Sequence, residues 1–376
     1  MAGIYIHIPF CKQACHYCNF HFSTSQKNIQ LVVNAIEKEI GFNRNYLEGE
    51  PIETIYFGGG TPSILNEIQL EQIIKSIRNN FNALDVKEIT LEANPDDLTM
   101  DKMQQWLKAG INRLSIGTQS FFDKDLVWIN RAHSAAQAIQ SISNAQQCGL
   151  PNISIDLIYG LPESTDDEWK QNLETAFNSG AQHLSCYSLT VEPKTALENF
   201  IRTGKSKPID EEKSARQFEV LMNLAPQFGF EHYEISNFAK SGMRSKHNSS
   251  YWSGKKYLGV GPSAHSYNGV SRQWNIANNN LYVSQIEKGI VPAETEILTL
   301  VQQYNEFVMI RLRTVEGISF NEMKEIFPDF ISHFQKEIAP FVNGNLIQQT
   351  GSNLSLTNNG RLLADHIISE LMIVED

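Results

Sequence analysis

The sequence lacks three features that would define other classes of protein. Its 376 residues contain no apolar run near the roughly 18 residues that span a bilayer. The N-terminal MAGIYIHIPF has neither the basic segment nor the small-residue cleavage site of a secretory signal. Positive charge is scarce, because 31 Lys and Arg face 42 Asp and Glu, a net charge of −11. We therefore expect a cytoplasmic protein that does not bind nucleic acid.

Cysteine is also scarce, but three of the five cysteines lie within eight residues of one another. Cys11, Cys15 and Cys18 have the spacing C-x3-C-x2-C, directly after the first predicted strand. Because cytoplasmic thiols stay reduced, such a cluster indicates a metal or catalysis rather than disulfides. Cys148, at a helix end, and Cys186, in an apolar strand, are predicted to be core residues.

Short β-branched runs alternate with helical patterns through the first two thirds of the chain. This alternation predicts a parallel sheet with helices outside it, either a barrel or an open sheet, with active residues at the C-terminal ends of the strands. The predicted strands are 4–8, 54–59, 88–93, 113–118, 153–160 and 183–189, and the predicted helices are about 28–46, 67–81, 99–109, 134–148, 165–179 and 211–228.

The alternation ends near residue 230, which is the predicted end of a domain over 1–230. A connecting segment rich in Tyr, Trp, Ser, Asn and Gly is expected over 231–295, beginning with a strand at 231–236, and a small α+β domain over 296–376. The order of its elements is typical of a winged-helix-like module. We favour a packing role over DNA binding because no basic recognition helix is visible. The predicted elements are helices at 297–313 and 319–327, a hairpin at 345–357 turning at 351–353, and a helix at 358–372.

Two kinds of metal site fit three clustered thiols. A structural zinc ion needs four ligands, and His7, His16 or His21 can supply the fourth. A [4Fe–4S] cluster normally has one thiolate on each iron, so three thiolates leave one iron open for a small molecule. The isolated triplet favours the cluster, and the motifs that follow it strengthen this interpretation.

Polar residues and glycines gather where several predicted strands end. Residues 58–61 follow the second strand, Glu92 closes the third, Gln119 ends the fourth with Arg131 after it, and Asp156 lies in the fifth. A glycine backbone can approach a ligand closely and donate N–H groups to a carboxylate. One such residue alone is usually structural, but the set predicts a ligand site at one edge of the sheet.

The cysteine spacing resembles that of the radical S-adenosylmethionine (SAM) superfamily. In that superfamily the amine and carboxylate of SAM chelate the open iron of the cluster. The fold that the resemblance implies is a partial (β/α)6 TIM-like barrel, which agrees with the six predicted strands. Further motifs resemble oxygen-independent coproporphyrinogen III oxidase and its relatives, namely 4-IYIHIPFCKQACHYC-18, 57-FGGGTPS-63, 92-EANPDDL-98, 115-SIGTQSF-121, 130-NRAHS-134 and 156-DLIYGLP-162.

The resemblance implies roles for individual residues. Cys11, Cys15 and Cys18 match the positions that hold the cluster, and Tyr17 matches an aromatic residue that packs near SAM. The chemistry implied is reductive cleavage of SAM to a 5′-deoxyadenosyl radical, with the cluster as electron source. The positions that match SAM contacts are Tyr5, Gly59, Gly60, Thr61, Glu92, Gln119, Arg131 and Asp156.

Two differences separate the sequence from the oxidase itself. The oxidase pattern has a fourth cysteine two residues after the third, where this chain has Phe20. The oxidase also has an extension before the triplet, whereas Cys11 lies close to the first residue of this chain. Both differences argue against porphyrinogen decarboxylation.

Another motif resembles a different branch of the family, the HemW heme chaperones. The stretch 247-HNSSYW-252 resembles their HNxxYW signature, and 257-YLGVGPSAHSY-267 is similar to the sequence that follows it. A neutral histidine can ligate heme iron, and Tyr and Trp can pack on a porphyrin face. His265 is a second candidate ligand. The heme-binding residues that the resemblance implies are His247, Asn248, Tyr251 and Trp252.

Together these motifs predict a heme chaperone that holds a [4Fe–4S] cluster, binds SAM and heme, and delivers heme to acceptor proteins. The resemblance implies respiratory heme proteins as acceptors and peripheral contact with a membrane. The first alternative is the oxidase of porphyrin biosynthesis, and the second, from another class, is a zinc-stabilised binding module. The motifs do not decide whether SAM is cleaved or only bound, so enzymatic activity is left open.

Overall fold

The computed structural model describes residues 1–374, and fifteen strands lie in that range. Twelve of them form one sheet and three form a second, smaller sheet. The strands are β1 (Ala2–Ile8), β2 (Ile52–Gly59), β3 (Glu88–Ala93), β4 (Arg113–Gln119), β5 (Ile153–Tyr159), β6 (His183–Ser188), β7 (Phe230–Glu234), β8 (Asn237–Lys240), β9 (Tyr257–Val260), β10 (His265–Tyr267), β11 (Ser271–Asn275), β12 (Ala293–Ile297), β13 (Ile318–Ser319), β14 (Ile347–Thr350) and β15 (Asn353–Leu356).

Helices connect most of these strands. The α-helices within the described residues are α1 (Ile29–Phe42), α2 (Glu67–Asn80), α3 (Met100–Ala109), α4 (Asp123–Trp128), α5 (Ala135–Cys148), α6 (Asp166–Asn178), α7 (Ala196–Arg202), α8 (Glu211–Leu224), α9 (Lys246–Trp252), α10 (Asn279–Glu287), α11 (Leu300–Leu312), α12 (Phe320–Ile326), α13 (Ile331–Asn343), α14 (Asn358–Leu362) and α15 (Ala364–Leu371).

Strands β1 to β6 are parallel, and each pairs with the next along the chain. The predicted six-stranded partial barrel is therefore confirmed. Its strands are buried on both faces, as expected when helices cover a parallel sheet. The sheet does not close on itself, because β1 pairs with β9 and β6 pairs with β8.

Residues 230–297 extend this sheet at both edges. The strand predicted at 231–236 is β7, which pairs with β8 beyond β6. At the other edge β9 runs parallel to β1, and β10, β11 and β12 follow as antiparallel strands. The segment expected to connect two domains thus shares one sheet with the barrel, and the three-part division of the chain stays a prediction.

Most predicted helices begin and end close to the expected residues. Asn66, Ser134 and Thr165 accept hydrogen bonds from the first turns of α2, α5 and α6, each within a capping box. Two predicted ends were wrong. The first helix ends at Phe42 rather than at 46, and the helix predicted to reach 228 gives way at residue 225 to a tighter 3-10 turn that contains Pro226.

The C-terminal part has a second hydrophobic core, separate from that of the barrel. Helices α11 to α15 pack there around the sheet β13-β15-β14, in agreement with the predicted winged-helix-like module. The predicted hairpin is confirmed as β14 and β15. The predicted last helix is divided at Leu363, and α13, which contains Pro340, was not predicted.

Within residues 1–374, no helix is both long and apolar enough to cross a membrane.

Candidate cofactor site

The cysteines lie on a loop that leaves β1 at the C-terminal edge of the barrel. The glycine turn after β2 holds this loop, because Gly60 N–H donates to Ile8 O at 2.9 Å and Thr61 N–H donates to Phe10 O at 2.7 Å. A side chain at position 60 would not fit, since its Cβ would stand 2.5 Å from Phe10 O. The glycine therefore permits the backbone contact that brings the cysteine loop over the strand ends.

A cavity of about 650 Å³ lies between this loop and the strand ends. Its size is that of a pocket for a small molecule or cofactor. The structure thus brings together the three cysteines and most positions predicted to contact SAM. The predicted residues that line it are Cys11, Cys15, Tyr17, Cys18, Gly59, Gly60, Thr61, Glu92, Gln119, Arg131 and Asp156.

Tyr5 is the predicted SAM contact that lies elsewhere. Its side chain lines a second cavity, and its hydroxyl is 3.2 Å from His7 Nδ1. His7 lines the same cavity, because side chains two residues apart point to the same face of a strand. The carboxylate of Glu92 still influences it, because burial and then that negative charge raise the pKa of Tyr5.

Arg131 joins three parts of the first cavity. Its guanidinium donates to Cys15 Sγ at 3.3 Å, to Asn94 Oδ1 at 2.6 Å and to Gly117 O at 2.7 Å. Its Nε is buried without a hydrogen-bond partner among the described residues. A buried guanidinium nitrogen of this kind is a donor that an anionic ligand group in the cavity can satisfy.

Two carboxylates, those of Glu92 and Asp156, line the cavity. Burial raises the pKa of Glu92 to about 7, and the nearby charge of Asp156 adds to the rise. Burial likewise raises the pKa of Asp156 to about 6. Tyr56 donates to Glu92 Oε1 at 2.8 Å and Ser115 donates to Asp156 Oδ1 at 3.3 Å, so both carboxylates have fixed positions. A cationic or hydroxyl-bearing ligand would favour their ionised forms.

Gln119 occupies a strained position. Its φ is 68°, in the left-handed region that side chains other than glycine rarely adopt. The register of β4 against β5 shifts between Ile116 and Gln119, which is a bulge at the end of the strand. Bulges of this kind redirect a side chain, and here Gln119 lines the cavity.

Cys11 and Cys18 are protonated thiols in the absence of metal, so metal binding must displace their protons. Burial raises the pKa of Cys11 to about 11, and burial also raises the pKa of Cys18. The donor set of three thiols on one loop suits a [4Fe–4S] cluster with one open iron. The carboxylates, the glycine turn and the spare Arg131 Nε beside them suit an amino-acid-bearing ligand such as SAM.

The three histidines considered as zinc ligands bond elsewhere. His7 Nε2 is 3.0 Å from His21 O, His16 Nδ1 is 2.8 Å from Trp128 O, and His21 Nε2 is 2.7 Å from Asn279 Oδ1. Over residues 1–374, no group of three or more Cys, His, Asp or Glu side chains is placed to hold a single metal ion.

Several lining residues were not predicted. Asn94, directly after β3, and Ser115, within β4, lie inside the motifs quoted above, and this was a usable signal. Arg313 and Asp365 reach the cavity from the C-terminal part, where they form an ion pair at 2.6 Å. No sequence pattern indicates that pairing, because it depends on how the two parts pack.

The HNxxYW residues form most of α9, which packs beside β1 and β2. His247 is buried, and both of its ring nitrogens have partners, with Nδ1 2.7 Å from Thr54 Oγ1 and Nε2 2.8 Å from Tyr251 Oη. Asn248 is half-buried at the start of this helix. Tyr251 and Trp252 line the second cavity, which has a volume of about 760 Å³, whereas His247 and Asn248 do not.

Comparisons with known proteins agree with this geometry. A sequence model of the Radical SAM superfamily matches residues 5–176, and one of the HemN C-terminal domain matches residues 298–363. The structure resembles that of coproporphyrinogen III oxidase (HemN) from Escherichia coli, with a TM-score of 0.84 and 23% identity over 99% of this chain and 90% of that one. At this identity the likeness shows the shared fold.

The relatives found by comparing sequences have names that differ from that of the oxidase. The chain is 37% identical over 378 residues to heme chaperone HemW of Bacillus subtilis, covering 99% of both proteins. It is 31% identical over 375 residues to HemW of Mycobacterium tuberculosis, covering 98% of this chain and 94% of the relative. It is 28% identical over 388 residues to radical S-adenosyl methionine domain-containing protein 1, mitochondrial, of Danio rerio, covering 99% and 87%.

Proposed function

The chain belongs to the HemW heme chaperone family of the radical SAM superfamily, and on that premise we propose that it binds heme and delivers it to acceptor proteins. The observation that carries the proposal is the cavity in which three loop cysteines meet Gly59, Glu92 and Arg131. This arrangement supports a site for a [4Fe–4S] cluster and SAM in a protein whose relatives are named heme chaperones.

In this proposal Cys11, Cys15 and Cys18 hold the cluster through their thiolates. A cluster of this kind supplies single electrons and, at an open iron, a place for a ligand. Arg131 donates to Cys15 Sγ and so supports the position of that thiol. Buried hydrogen bonds to a thiolate also tune the potential of the metal it binds.

The remaining residues of the first cavity bind and orient SAM. Gly59 and Gly60 line the cavity and let the amino-acid part of SAM approach the turn closely, and Glu92 can accept from its ammonium. Asp156 and Gln119 lie at the next strand ends, where they can accept from and donate to ribose hydroxyls. Tyr17 provides an apolar wall.

Heme is the cargo in this proposal, and α9 marks its site. Tyr251 and Trp252 present aromatic surface to the second cavity, and aromatic side chains suit a flat porphyrin. The acceptors are proposed to be respiratory heme proteins, reached from the cytoplasm by peripheral contact with a membrane.

The test is heme transfer from the full chain after anaerobic cluster reconstitution. We expect stoichiometric heme binding, a Soret band, and passage of heme to an apo-cytochrome added in excess. Substitution of Trp252 by Ala should weaken binding, while the exposed Leu84→Ala control should not change it.

The oxidase is the alternative that the same assay addresses. Anaerobic incubation with coproporphyrinogen III and SAM separates the two, because turnover to a decarboxylated porphyrinogen without heme transfer would overturn the chaperone proposal. Phe20 stands where the oxidase pattern has its fourth cysteine, so we expect no turnover.

A further inference from the structure

The histidine of the HNxxYW stretch is closed off from a ligand. His247 is 1% exposed, its ring stacks on Tyr56 with the centroids 5.0 Å apart, and both ring nitrogens are engaged. Iron ligation by Nε2 would require Tyr251 to give up its hydrogen bond and move away. A buried donor or acceptor left unpaired costs about 1–3 kcal/mol, so this exchange opposes ligation.

Two histidines line the second cavity within the described part of the chain, and they differ in whether a ring nitrogen is free to bind a ligand. His7 is 4% exposed, with Nδ1 3.2 Å from Tyr5 Oη and Nε2 3.0 Å from His21 O. His265 is exposed at the start of β10, and neither of its ring nitrogens bonds to any residue in 1–374. Only the second of these imidazoles is ready to ligate a metal.

The setting of His265 holds its ring at the cavity wall. It lies opposite Trp274 in the antiparallel pair β10–β11, and the two rings are stacked with their centroids 6.4 Å apart. Cross-strand pairs that involve an aromatic ring favour the paired arrangement of the two side chains. Stacking on Trp274 therefore favours the position in which the imidazole lines the cavity.

The aromatic side chains that line the rest of the cavity suit a flat, apolar ligand. Its volume of about 760 Å³ lies within the range of cofactor pockets, which is about 300–1,000 Å³. Aromatic side chains come from α9, from the sheet edge and from the C-terminal domain, so the ligand would lie between two parts of the fold. The aromatic lining residues are Tyr251, Trp252, Tyr257, Tyr267, Phe307 and Phe327.

We propose that the second cavity receives the heme and that His265, not His247, is the histidine that ligates its iron. This inference rests on the proposed chaperone function and specifies its site. Phe20, which is 66% exposed, lines both cavities. The cargo would thus lie next to the cysteine loop, separated from it by one aromatic side chain.

The charges around the cavity are already paired. Lys255 contacts Glu53 at 2.9 Å, Arg311 contacts Glu322 at 2.7 Å, and Arg272 contacts Glu306. A heme propionate would join a neutral pair rather than meet a free cation, and Arg311 Nε, buried without a hydrogen-bond partner among the described residues, is a donor for it. The iron ligand and the aromatic walls supply the rest of the recognition.

The experiment is titration of the full chain with hemin and, separately, with metal-free protoporphyrin. We compare the wild type with His265→Ala and with His366→Ala, a control at an exposed histidine on α15. We expect His265→Ala to shift the Soret band and raise the Kd for hemin by roughly tenfold or more, because even loss of a group that only orients a metal ligand costs about 10–100-fold. Metal-free protoporphyrin should bind the wild type and His265→Ala equally, and added imidazole should restore the wild-type Soret position.

The outcomes separate this inference from the function it rests on. If the wild type binds hemin and His265→Ala keeps its Soret position and Kd, the inference is wrong and the chaperone function stands. If Trp252→Ala also leaves both porphyrins bound as in the wild type, the cavity is not the site. If the wild type binds no hemin at all, both proposals are overturned.

Discussion

Arg131 connects three parts of the first cavity. It contacts Cys15 Sγ, Asn94 Oδ1 and Gly117 O, and so joins the cysteine loop to the ends of β3 and β4. A planar guanidinium can serve three acceptors at once, whereas a lysine ammonium on a flexible stem cannot reach the same positions. The sequence predicted the residue but not these three partners.

Substitution of Arg131 by Lys is expected to weaken SAM binding by about tenfold while the chain stays folded, because the positive charge remains but the hydrogen bonds do not. Equilibrium dialysis with reconstituted protein measures the change. Arg78→Lys, at an exposed position on α2, is the control and should have no effect. Equal SAM affinity in the wild type and in Arg131→Lys would contradict this role.

Glu39 is a buried carboxyl on α1. Gly261 N–H donates to its Oε2 at 2.8 Å, Asn275 Nδ2 donates to its Oε1 at 2.6 Å, and Tyr282 donates to its Oε2. Burial raises the pKa of Glu39 from 4.5 to about 7. These hydrogen bonds favour the ionised form but only partly offset burial.

A raised carboxyl pKa makes the folded protein bind this proton more tightly than the unfolded chain does. The contribution of Glu39 to stability is therefore greatest below pH 4.5, falls as pH rises, and levels off above about pH 7. The fall amounts to roughly 3 kcal/mol. The free energy of urea unfolding between pH 5 and 7.5 should thus decline less in Glu39→Gln than in the wild type.

The matched control for this measurement is Glu37→Gln, because Glu37 lies on the same helix but is exposed. Its pH profile should run parallel to that of the wild type. If Glu39→Gln also runs parallel to the wild type, then Glu39 does not titrate as the structure implies.

At the scale of elements, the glycine turn after β2 holds the cysteine loop. Gly60→Ala would place Cβ 2.5 Å from Phe10 O and 2.8 Å from Phe10 N. The loop must then move away from the strand ends. We expect less iron bound per chain after reconstitution, and a lower melting temperature.

Gly41→Ala is the control for this substitution. Gly41 lies within α1, and its added Cβ would meet nothing closer than 4.0 Å. An alanine in a helix is favoured over glycine by about 1 kcal/mol, so this variant should be as stable as the wild type or more so. If Gly60→Ala bound iron as the wild type and Gly41→Ala do, the turn would not position the cysteines.

Elements with a strong local signal were predictable from the sequence. Strands β1, β2 and β5 contain runs of apolar, β-branched residues, and α2, α5 and α6 have capping boxes at their starts. Helix α13 was missed because Pro340 argues against a helix, although the packing of its apolar face in the second core overrides that preference. Strands β9 to β12 are short and exposed in part, so tertiary pairing defines them.

At the scale of the whole molecule, the first cavity was predictable and the second was not. Residues of the first cavity follow the ends of parallel strands, which must meet at one edge. The second cavity is formed by α9, β9, β10 and two helices of the C-terminal domain, and no local pattern indicates that they meet. For the same reason the sequence favoured His247 as heme ligand, since its burial depends on β1 and β2 packing against α9.

The central claim is a three-cysteine [4Fe–4S] cluster with an iron left open for SAM, and the most direct measurement is the electron paramagnetic resonance spectrum of the anaerobically reconstituted, reduced protein with and without SAM. We expect labile sulfide with iron, and a cluster signal whose g-values change when SAM is added. Cys15→Ala should lose the signal and Cys148→Ala, on α5 away from the cavity, should keep it. Zinc without sulfide, or a cluster signal that SAM leaves unchanged, would contradict the account.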